Sequence, residues 1–349
     1  MPAAEKEIIT RTFRNDDEIQ VNSVIKRSFN NPGANAYPFP PKRFIVVAEL
    51  EGKIIGHTSI RPILVHLKGN VVRAGILHMV ATDPDYQKKG AGHLMMDKAV
   101  EIMEKEKLAI SLLKTSVPSF YEKKGWHVIV DRDETITIPK EKFEAIIRED
   151  SEDVQVLDGD LRNIDNFIEL RNEYAKNFNC FSHANKKFFT KVYNEYASGA
   201  ITNFFHEIKV NDVLTGYFFG KRMSEVKQGE KLSHVIHELV LNTWSRTIIY
   251  KIIEFLFSFD DEFECVNIHC PVDENVLPFL EEIGTKIQSQ MNLVDMLRVN
   301  LPEKLEFASI GEDEVIKWLK STDFKQNLFV DYYTEYFQSY LADMKIFQE

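Results

Sequence analysis

The order of elements along this chain predicts an α/β (α+β) fold: a mixed, mostly antiparallel sheet flanked by helices, followed by a second domain built in the same order. Two hairpin signals, Glu51-Gly52-Lys53 and Lys68-Gly69-Asn70, separate apolar runs of strand composition. A stretch with helical periodicity follows the third run. The succession helix, antiparallel strands, helix, strand, helix, strand then recurs more faintly in the second half. No residue-level repeat is visible, and the likeness lies in order and spacing.

The first element is a helix that Asp16 or Asp17 can cap, with Ile19, Val24, Ile25 and Phe29 as its apolar positions. Residues 30–41 hold Asn, Pro and Gly and read as a loop. Strands are expected over 43–50, 54–67 and 71–81. A helix over 90–107 places Met96, Val100 and Met103 at i, i+4 and i+7, with Ala99 and Ile102 widening that face. A short strand over 108–114 and a short helix over 119–124 follow, and Gly125 suits a left-handed C-cap. Strands over 126–130 and 134–138 end the first sheet. The second half gives a helix over 161–176, strands over 204–210, 214–221 and 232–241, and a helix over 244–257. A strand over 265–270, a short helix over 277–282 and a strand over 291–299 complete it.

The domain division expected from this pattern is 1–140, a charged connector 141–153, a second domain 154–300 and a helical tail 301–349. In the tail, Tyr333, Phe337, Tyr340, Leu341 and Met344 form one helical stripe. Left in water, that stripe is costly, so it is expected to dock on a domain or on a second copy of the chain, a possible homo-oligomer.

Composition narrows the function classes. The chain has 349 residues, 44% hydrophobic and 28% charged, which excludes a wholly disordered or disulfide-stapled protein. No apolar run reaches the roughly 18 residues of a membrane helix, and the polar start carries no signal-peptide core. Cys180, Cys265 and Cys270 lack CxxC spacing and suggest reduced thiols in a cytoplasmic protein, with no metal expected. The net charge of −11 is uneven: residues 1–150 carry 23 Lys+Arg against 21 Asp+Glu, leaving −13 for the remainder. An acidic second half argues against nucleic acid and anionic membrane as partners and suits a cationic small substrate.

The chemistry lies in His78–Met103. A strand ends near Ala81, Thr82-Asp83-Pro84-Asp85 turns the chain, and Gln87-Lys88-Lys89-Gly90-Ala91-Gly92 opens a helix. Free N–H groups at a helix start cradle an anion, and the helix dipole adds to them. Gly90 and Gly92 let a pyrophosphate approach the backbone, and Lys88 and Lys89 add charge at the rim. The loop is neither a Walker A nor a GxGxxG motif. After the next strand comes Ser116-Val117-Pro118-Ser119-Phe120-Tyr121-Glu122-Lys123-Lys124-Gly125-Trp126.

Together these pieces resemble the GCN5-related N-acetyltransferase (GNAT) superfamily over roughly residues 8–138. Gln87, Gly90 and Gly92 match the family's Gln/Arg-x-x-Gly-x-Gly/Ala loop, and Phe120, Tyr121, Gly125 and Trp126 match its Phe-Tyr-x-x-x-Gly-Phe/Trp helix end. The resemblance implies acetyl-CoA as co-substrate. Backbone groups of Met79, Val80 and Ala81 would pair with the pantetheine arm, and amides of Lys88, Lys89, Gly90, Ala91, Gly92 and His93 would hold the pyrophosphate. Tyr121 would protonate the leaving thiolate. Its phenol, neutral near an ordinary pKa of about 10, is chemically able to do so. The strand Glu that serves some members as base falls at Ala74, so that base is absent. His78, four residues on and on the same side by alternation, is the candidate base, with Glu49 another.

The second half has Leu241-Asn242-Thr243-Trp244-Ser245-Arg246 where the cradle would stand, with no glycine pair. Trp244 and Arg246 would obstruct a pyrophosphate, so this is a degenerate GNAT-like domain. A working GNAT domain before a degenerate one is similar to the Eis-like (enhanced intracellular survival) acetyltransferases, which acetylate amines and end in a sterol-carrier-like domain. The 49 residues after 300 are too few for that domain, and the resemblance raises the question whether the Glu349 carboxylate reaches the active site. The expected activity is N-acetyl transfer to a small amine by direct attack, with the amine site between the two halves; the alternative is a non-catalytic acyl-CoA sensor.

Overall fold

The computed structural model describes residues 7–34, 40–146, 152–197, 203–223, 232–259, 262–270, 272 and 276–308. The helical stripe expected from Tyr333 to Met344, and Glu349, lie outside the described residues. The chain divides into two units. Of the described residues, one unit holds those up to Asp131, Phe178–Ser182 and Asn292–Ala308; the other holds those in Arg132–Asn177 and His183–Met291. The boundary thus falls at Asp131, ahead of the 141–153 segment where the sequence suggested it, and the chain returns to the first unit at Asn292.

The first unit orders its strands β1 (Ile9–Thr12), β2 (Ile45–Leu50), β3 (Lys53–Leu67), β4 (Asn70–Thr82) and β5 (Ile110–Thr115), then the last residues of β12 (Thr285–Val299). All neighbours run antiparallel except β4 and β5. Glu51-Gly52 and Lys68-Gly69 each make a two-residue turn with both φ positive, at 51° and 79° and at 46° and 75°. That backbone matches the right-handed twist of the strands it joins. β12 enters this sheet from the far end of the chain, pairing Val294 with Thr115 through Val299 with Ile110. The strap Phe178–Ser182 lies on the end of β3, where His66 N–H donates to the Phe181 carbonyl at 2.7 Å and Cys180 N–H to that of His66 at 2.8 Å.

Helix α1 (Glu18–Ser28) buries Val21, Val24 and Ile25. Ile19 and Phe29, expected on that face, are 84% and 47% exposed, and Val21 takes the inward position. Asp17 does not cap with its side chain; its carboxylate receives the Arg11 fork at 2.7 and 2.8 Å and the Arg14 N–H at 2.6 Å. Helix α2 (Ala91–Lys105) buries Ala91, Met95, Met96, Ala99, Ile102 and Met103 against Ile55, Ile60, Leu77 and Trp126. Each large side chain so buried stabilises by roughly 1.5–3 kcal/mol. Helix α3 (Pro118–Glu122) ends as expected: Gly125 has φ 86°, and β6 (His127–Pro139) is one strand where the sequence suggested two.

The second unit contains α4 (Lys140–Glu144), β7 (Val154–Asp158), α5 (Ile164–Ala175), α6 (Lys186–Tyr196), β8 (Asn203–Val210), β9 (Val213–Met223), β10 (Ser233–Leu241), α7 (Arg246–Phe257), β11 (Cys265–Ile268) and α8 (Leu277–Ile283). Strands β7 to β10 form an antiparallel run, β11 lies parallel to β10, and the end of β6 closes on β11. Helix α6 was not expected; Asn185 caps it by accepting the Phe188 N–H at 3.0 Å, and Phe188, Phe189, Val192 and Tyr196 are buried.

The second unit's core also holds a charge. Arg171, fully buried, donates from Nε to both Glu238 oxygens at 3.0 and 3.2 Å, and Tyr217 Oη–H donates to the same carboxylate at 2.6 Å. Removing one member of a buried ion pair strands the other charge in the interior. Glu238→Ala is therefore expected to destabilise the chain by about 3–5 kcal/mol, read as a lower denaturant midpoint; a loss below about 1 kcal/mol, the size of an exposed pair, would mean that water reaches Arg171.

Candidate active site

The site grows out of an interrupted ladder. β4 and β5 pair at Ala74–Ile110, Gly75–Ser111 and Ile76–Leu112, and share no further registered pairs although both continue. On the other side of β4 the register with β3 shifts between His57–Ala81 and Ser59–His78. Four residues of β4 thus face three of β3, a β-bulge, and Met79 sits in it with φ 51°. A methionine pays steric strain for that conformation, so the surroundings must hold it there.

Three side chains from β3 do so. His57, fully buried, has Nδ1 3.0 Å from the Met79 carbonyl. The hydroxyls of Thr58 and Ser59 each stand 3.4 Å from the His78 carbonyl, at the long limit of a hydrogen bond. Because a carbonyl only accepts, the His57 proton is on Nδ1. Its Nε2 is buried without a partner, and burial lowers the imidazole pKa to about 4.

His78 lies just before the bulge, so its alternation with Ala74 is intact. Its Nδ1 is buried without a hydrogen-bond partner. Burial, then the positive Arg61, then His57, lower its pKa to about 3. The imidazole is neutral but far too weak a base to strip an ordinary alkylammonium. Glu49 is engaged elsewhere, receiving Arg11 Nε at 2.7 Å.

Beyond β4, Asp83 caps a 3-10 turn by accepting the Asp85 N–H and also receives Arg27 at 2.7 Å. Lys88 and Gly90 both take positive φ, 62° and 90°. Gly90 is the N-cap of α2 and supplies no side chain to the first-turn N–H groups. The earliest helical amide bonded inside is Leu94 N–H, to the Gly90 carbonyl at 3.1 Å; those of Ala91, Gly92 and His93 precede it. A Cβ on Gly92 would stand 3.2 Å from the Phe120 ring, while none at Gly90 would meet an atom within 4 Å. Gln87, Lys88 and Lys89 are exposed at the rim, with Lys89 Nζ 4.8 Å over the Tyr86 ring. Open amides, small residues and flanking cations fit a pyrophosphate.

Tyr121 is 7% exposed, packed edge-on to Phe120 and Trp126. Burial raises its pKa to about 12, and a hydrogen bond with the Thr115 hydroxyl partly offsets that. Thr115 ends β5 and also accepts the Val117 N–H at 3.0 Å. His57 and Thr115 are therefore two contributors that sequence reasoning missed; neither belongs to a motif, and only the register reveals them.

The second unit repeats the interruption. β10 and β11 pair from Ser233–Cys265 to Ile236–Ile268 and stop, and β10 bulges between Ile236 and Glu238. Its helix start is closed, because Ser245 Oγ accepts the Ile248 N–H at 3.2 Å. Trp244 stacks on Tyr174 with centroids 6.0 Å apart, and Arg246, the first residue of α7, pairs with Glu282 at 2.9 Å. A groove of about 680 Å³ runs beside α5, with Glu169, Glu173, Tyr174 and Trp244 in its lining.

The buried histidines fix a pH dependence. The unfolded chain takes up protons as pH falls through about 6.5, whereas folded His57 and His78 resist until about 4 and about 3. Stability should therefore fall as pH drops from 6.5 toward 4, by about 1.4 kcal/mol per unit for each such histidine. Denaturant unfolding at pH 7, 6 and 5 checks it, with imidazole NMR assigning the groups; a His57 resonance titrating near 6.5 in the folded state would refute the assignment.

Residues 10–129 match the family model for an acetyltransferase (GNAT) domain. The fold of the wider chain matches a GCN5-related N-acetyltransferase from Anabaena variabilis at 17% identity and TM-score 0.66, over 85% of this chain and 74% of that one. A conserved protein of unknown function from Enterococcus faecalis, described as a probable N-acyltransferase, matches at 14% identity and TM-score 0.65, over 86% and 75%. Eis1 from Mycobacterium abscessus matches at 13% identity and TM-score 0.60, over 84% and 74%. Residues 10–129, with the bulged β4 and the glycine cradle inside them, thus match a GNAT acetyltransferase domain, and the fold of the wider chain is like that of the GCN5-related and Eis-type proteins.

Proposed function

We propose that the chain is an acetyl-CoA-dependent N-acetyltransferase that acylates the primary amine of a small, cationic substrate, with both substrates bound at once. The observation that carries this reading is the conjunction, in the first unit, of an uncapped glycine start to α2 and a neutral buried phenol beside the end of the β4–β5 pairing. In this reading the first unit is the catalytic domain and the second the degenerate one.

The amides from Lys88 to His93 hold the pyrophosphate, with Gln87 at the turn, and Met79 to Ala81 offer the pantetheine arm a strand edge left open by β5. Bound acetyl-CoA supplies the thioester carbonyl and the thiolate leaving group. Holding the amine beside that carbonyl makes attack effectively intramolecular. The C–N bond forms, the C–S bond breaks, and the amine gives up one proton while the thiolate takes one.

Tyr121 handles the thiolate side. A phenol at about 12 keeps its proton throughout the neutral range. A thiol near an ordinary pKa of about 8.5 is the stronger acid, so complete transfer from Tyr121 runs uphill. The phenol therefore acts mainly as a hydrogen-bond donor to sulfur as charge develops there, with Thr115 holding its oxygen. His78, too weak to deprotonate an ammonium, accepts a hydrogen bond from an amine that arrives neutral. The rate should consequently rise with pH toward the substrate amine's own pKa, with no break near 6.5.

Calorimetry with acetyl-CoA and a thiol-release screen over polyamines and aminoglycosides test the proposal. One coenzyme should bind per chain, since Ser245 closes the second helix start, and Gly92→Val should abolish binding by driving a side chain into the Phe120 ring. Tyr121→Phe should lower turnover by about 10²–10³-fold, the cost of one preorganised donor, with coenzyme affinity little changed. Two bound coenzymes would overturn the role given to the second domain. Tight binding with no turnover across the panel would favour an acyl-CoA sensor.

A further inference from the structure

We infer that His57 is a positioning residue for acyl transfer: by donating Nδ1–H to the Met79 carbonyl it locks the Met79–Val80 peptide so that the Val80 N–H faces the gap between β4 and β5, where it binds the thioester oxygen. The inference rests on the acyl-transfer reading above and adds to it the side chain that sets the geometry.

The argument starts from the peptide group. It is planar and trans, so its C=O and N–H point in opposite directions. His57 comes from β3, and Nδ1 lies 3.0 Å from the Met79 carbonyl. Fixing that carbonyl toward His57 turns the Val80 N–H away from it. β3 and β5 flank β4 on opposite sides, and the registered pairs with β5 have ended at Ile76–Leu112. The N–H is thereby directed to the side where no strand partner is registered.

The lock is needed because the conformation is disfavoured. Met79 has φ 51°, which a side chain with a Cβ resists. The bulge adds a residue to β4 without giving it a partner in β3. A peptide in such a place can rotate unless something holds it, and a donor that rotates with its acceptor stabilises no developing charge.

The chemistry of His57 suits a structural donor. It is fully buried, so solvent does not compete for the Met79 carbonyl. Burial without a partner for Nε2 disfavours a second proton, so the imidazole stays a neutral single donor. One short fixed bond from a ring that cannot titrate near neutral pH is a constant restraint. Nothing in this geometry brings His57 to the reacting atoms; it acts through the peptide.

The test compares His57→Asn with His57→Leu. The two side chains have similar size and branching, but only asparagine retains an N–H near the position of Nδ1. With acetyl-CoA carrying ¹³C at the thioester carbonyl, isotope-edited infrared spectra of the bound coenzyme report polarisation of that bond. Wild type should show the carbonyl band shifted to lower frequency relative to free acetyl-CoA. His57→Leu should lose the shift, with kcat reduced about 10²-fold or more, the cost of one such donor, and acetyl-CoA affinity within about threefold. His57→Asn should regain most of both. If His57→Leu does not fold, His57→Ser, whose hydroxyl is too short to reach, replaces it. A folded Leu or Ser variant that keeps the wild-type band and kcat overturns the inference while leaving the acetyltransferase reading intact. A wild-type chain that binds no acetyl-CoA overturns both.

Discussion

The interruption of one strand pair governs this protein. β4 and β5 stay together for three registers and then share none, while β4 gains an extra residue against β3. A parallel pair that continued would satisfy its backbone groups internally and leave nothing for a ligand. Ending the pair leaves β4 with strand edge to offer, and the bulge re-aims one peptide of that edge. In the proposed function the glycine start of α2 and the hydroxyl of Tyr121 work together with this strand edge. The Met-rich face of α2 clusters with Ile60 and Leu77, and β3 pairs along the other edge of β4.

The second unit is an internal control on that logic. It has the same parallel pair ending after Ile236–Ile268 and a bulge in the corresponding strand. What differs is the chemistry around the feature. Glu238 at the bulge is consumed by Arg171 and Tyr217, and Ser245 occupies a first-turn amide of α7. In the first unit the corresponding helix cap is Gly90, which occupies none. If only the first unit takes the coenzyme, as proposed, the fold alone does not make the site; the site depends on which polar groups the side chains have left available.

Much of this was legible in the residues. Glycine in two-residue turns, Gly125 after a short helix and Gly90 at the head of α2 are positions where backbone conformation dictates residue type, and each appears where the pattern put it. Side-chain facing was less legible. Ile19 and Phe29 satisfied a helical period yet point to solvent, because the period leaves the phase of a short helix open and Val21 packs better. Helix α6 was missed although Asn185 is a good cap, since its apolar residues sit among lysines and asparagines that read as loop. Long-range placement was not legible at all. Nothing local says that Asp295 and its neighbours pair with β5 in the first unit, or that Phe178–Ser182 belongs there. His57 has the same origin: it matters through a carbonyl 22 residues away, set by the hairpin register.

Burial suits the candidate site's titratable groups to act as dipoles more than as proton carriers. His57 and His78 are pushed down to about 4 and about 3, and Tyr121 up to about 12. Every shift favours the neutral form, as desolvation requires. A site built this way holds no fixed charge of its own among these three side chains at neutral pH. It can stabilise a charge that appears during reaction, through oriented N–H and O–H groups, without first having to shed one. Such a site is poorly suited to taking a proton from a cationic amine, so that proton must leave before attack or pass to water. For the cationic substrate proposed above, the strongly acidic balance beyond residue 150 would serve to concentrate it near the chain. Attraction and chemistry are then separate tasks, assigned to different parts of one chain.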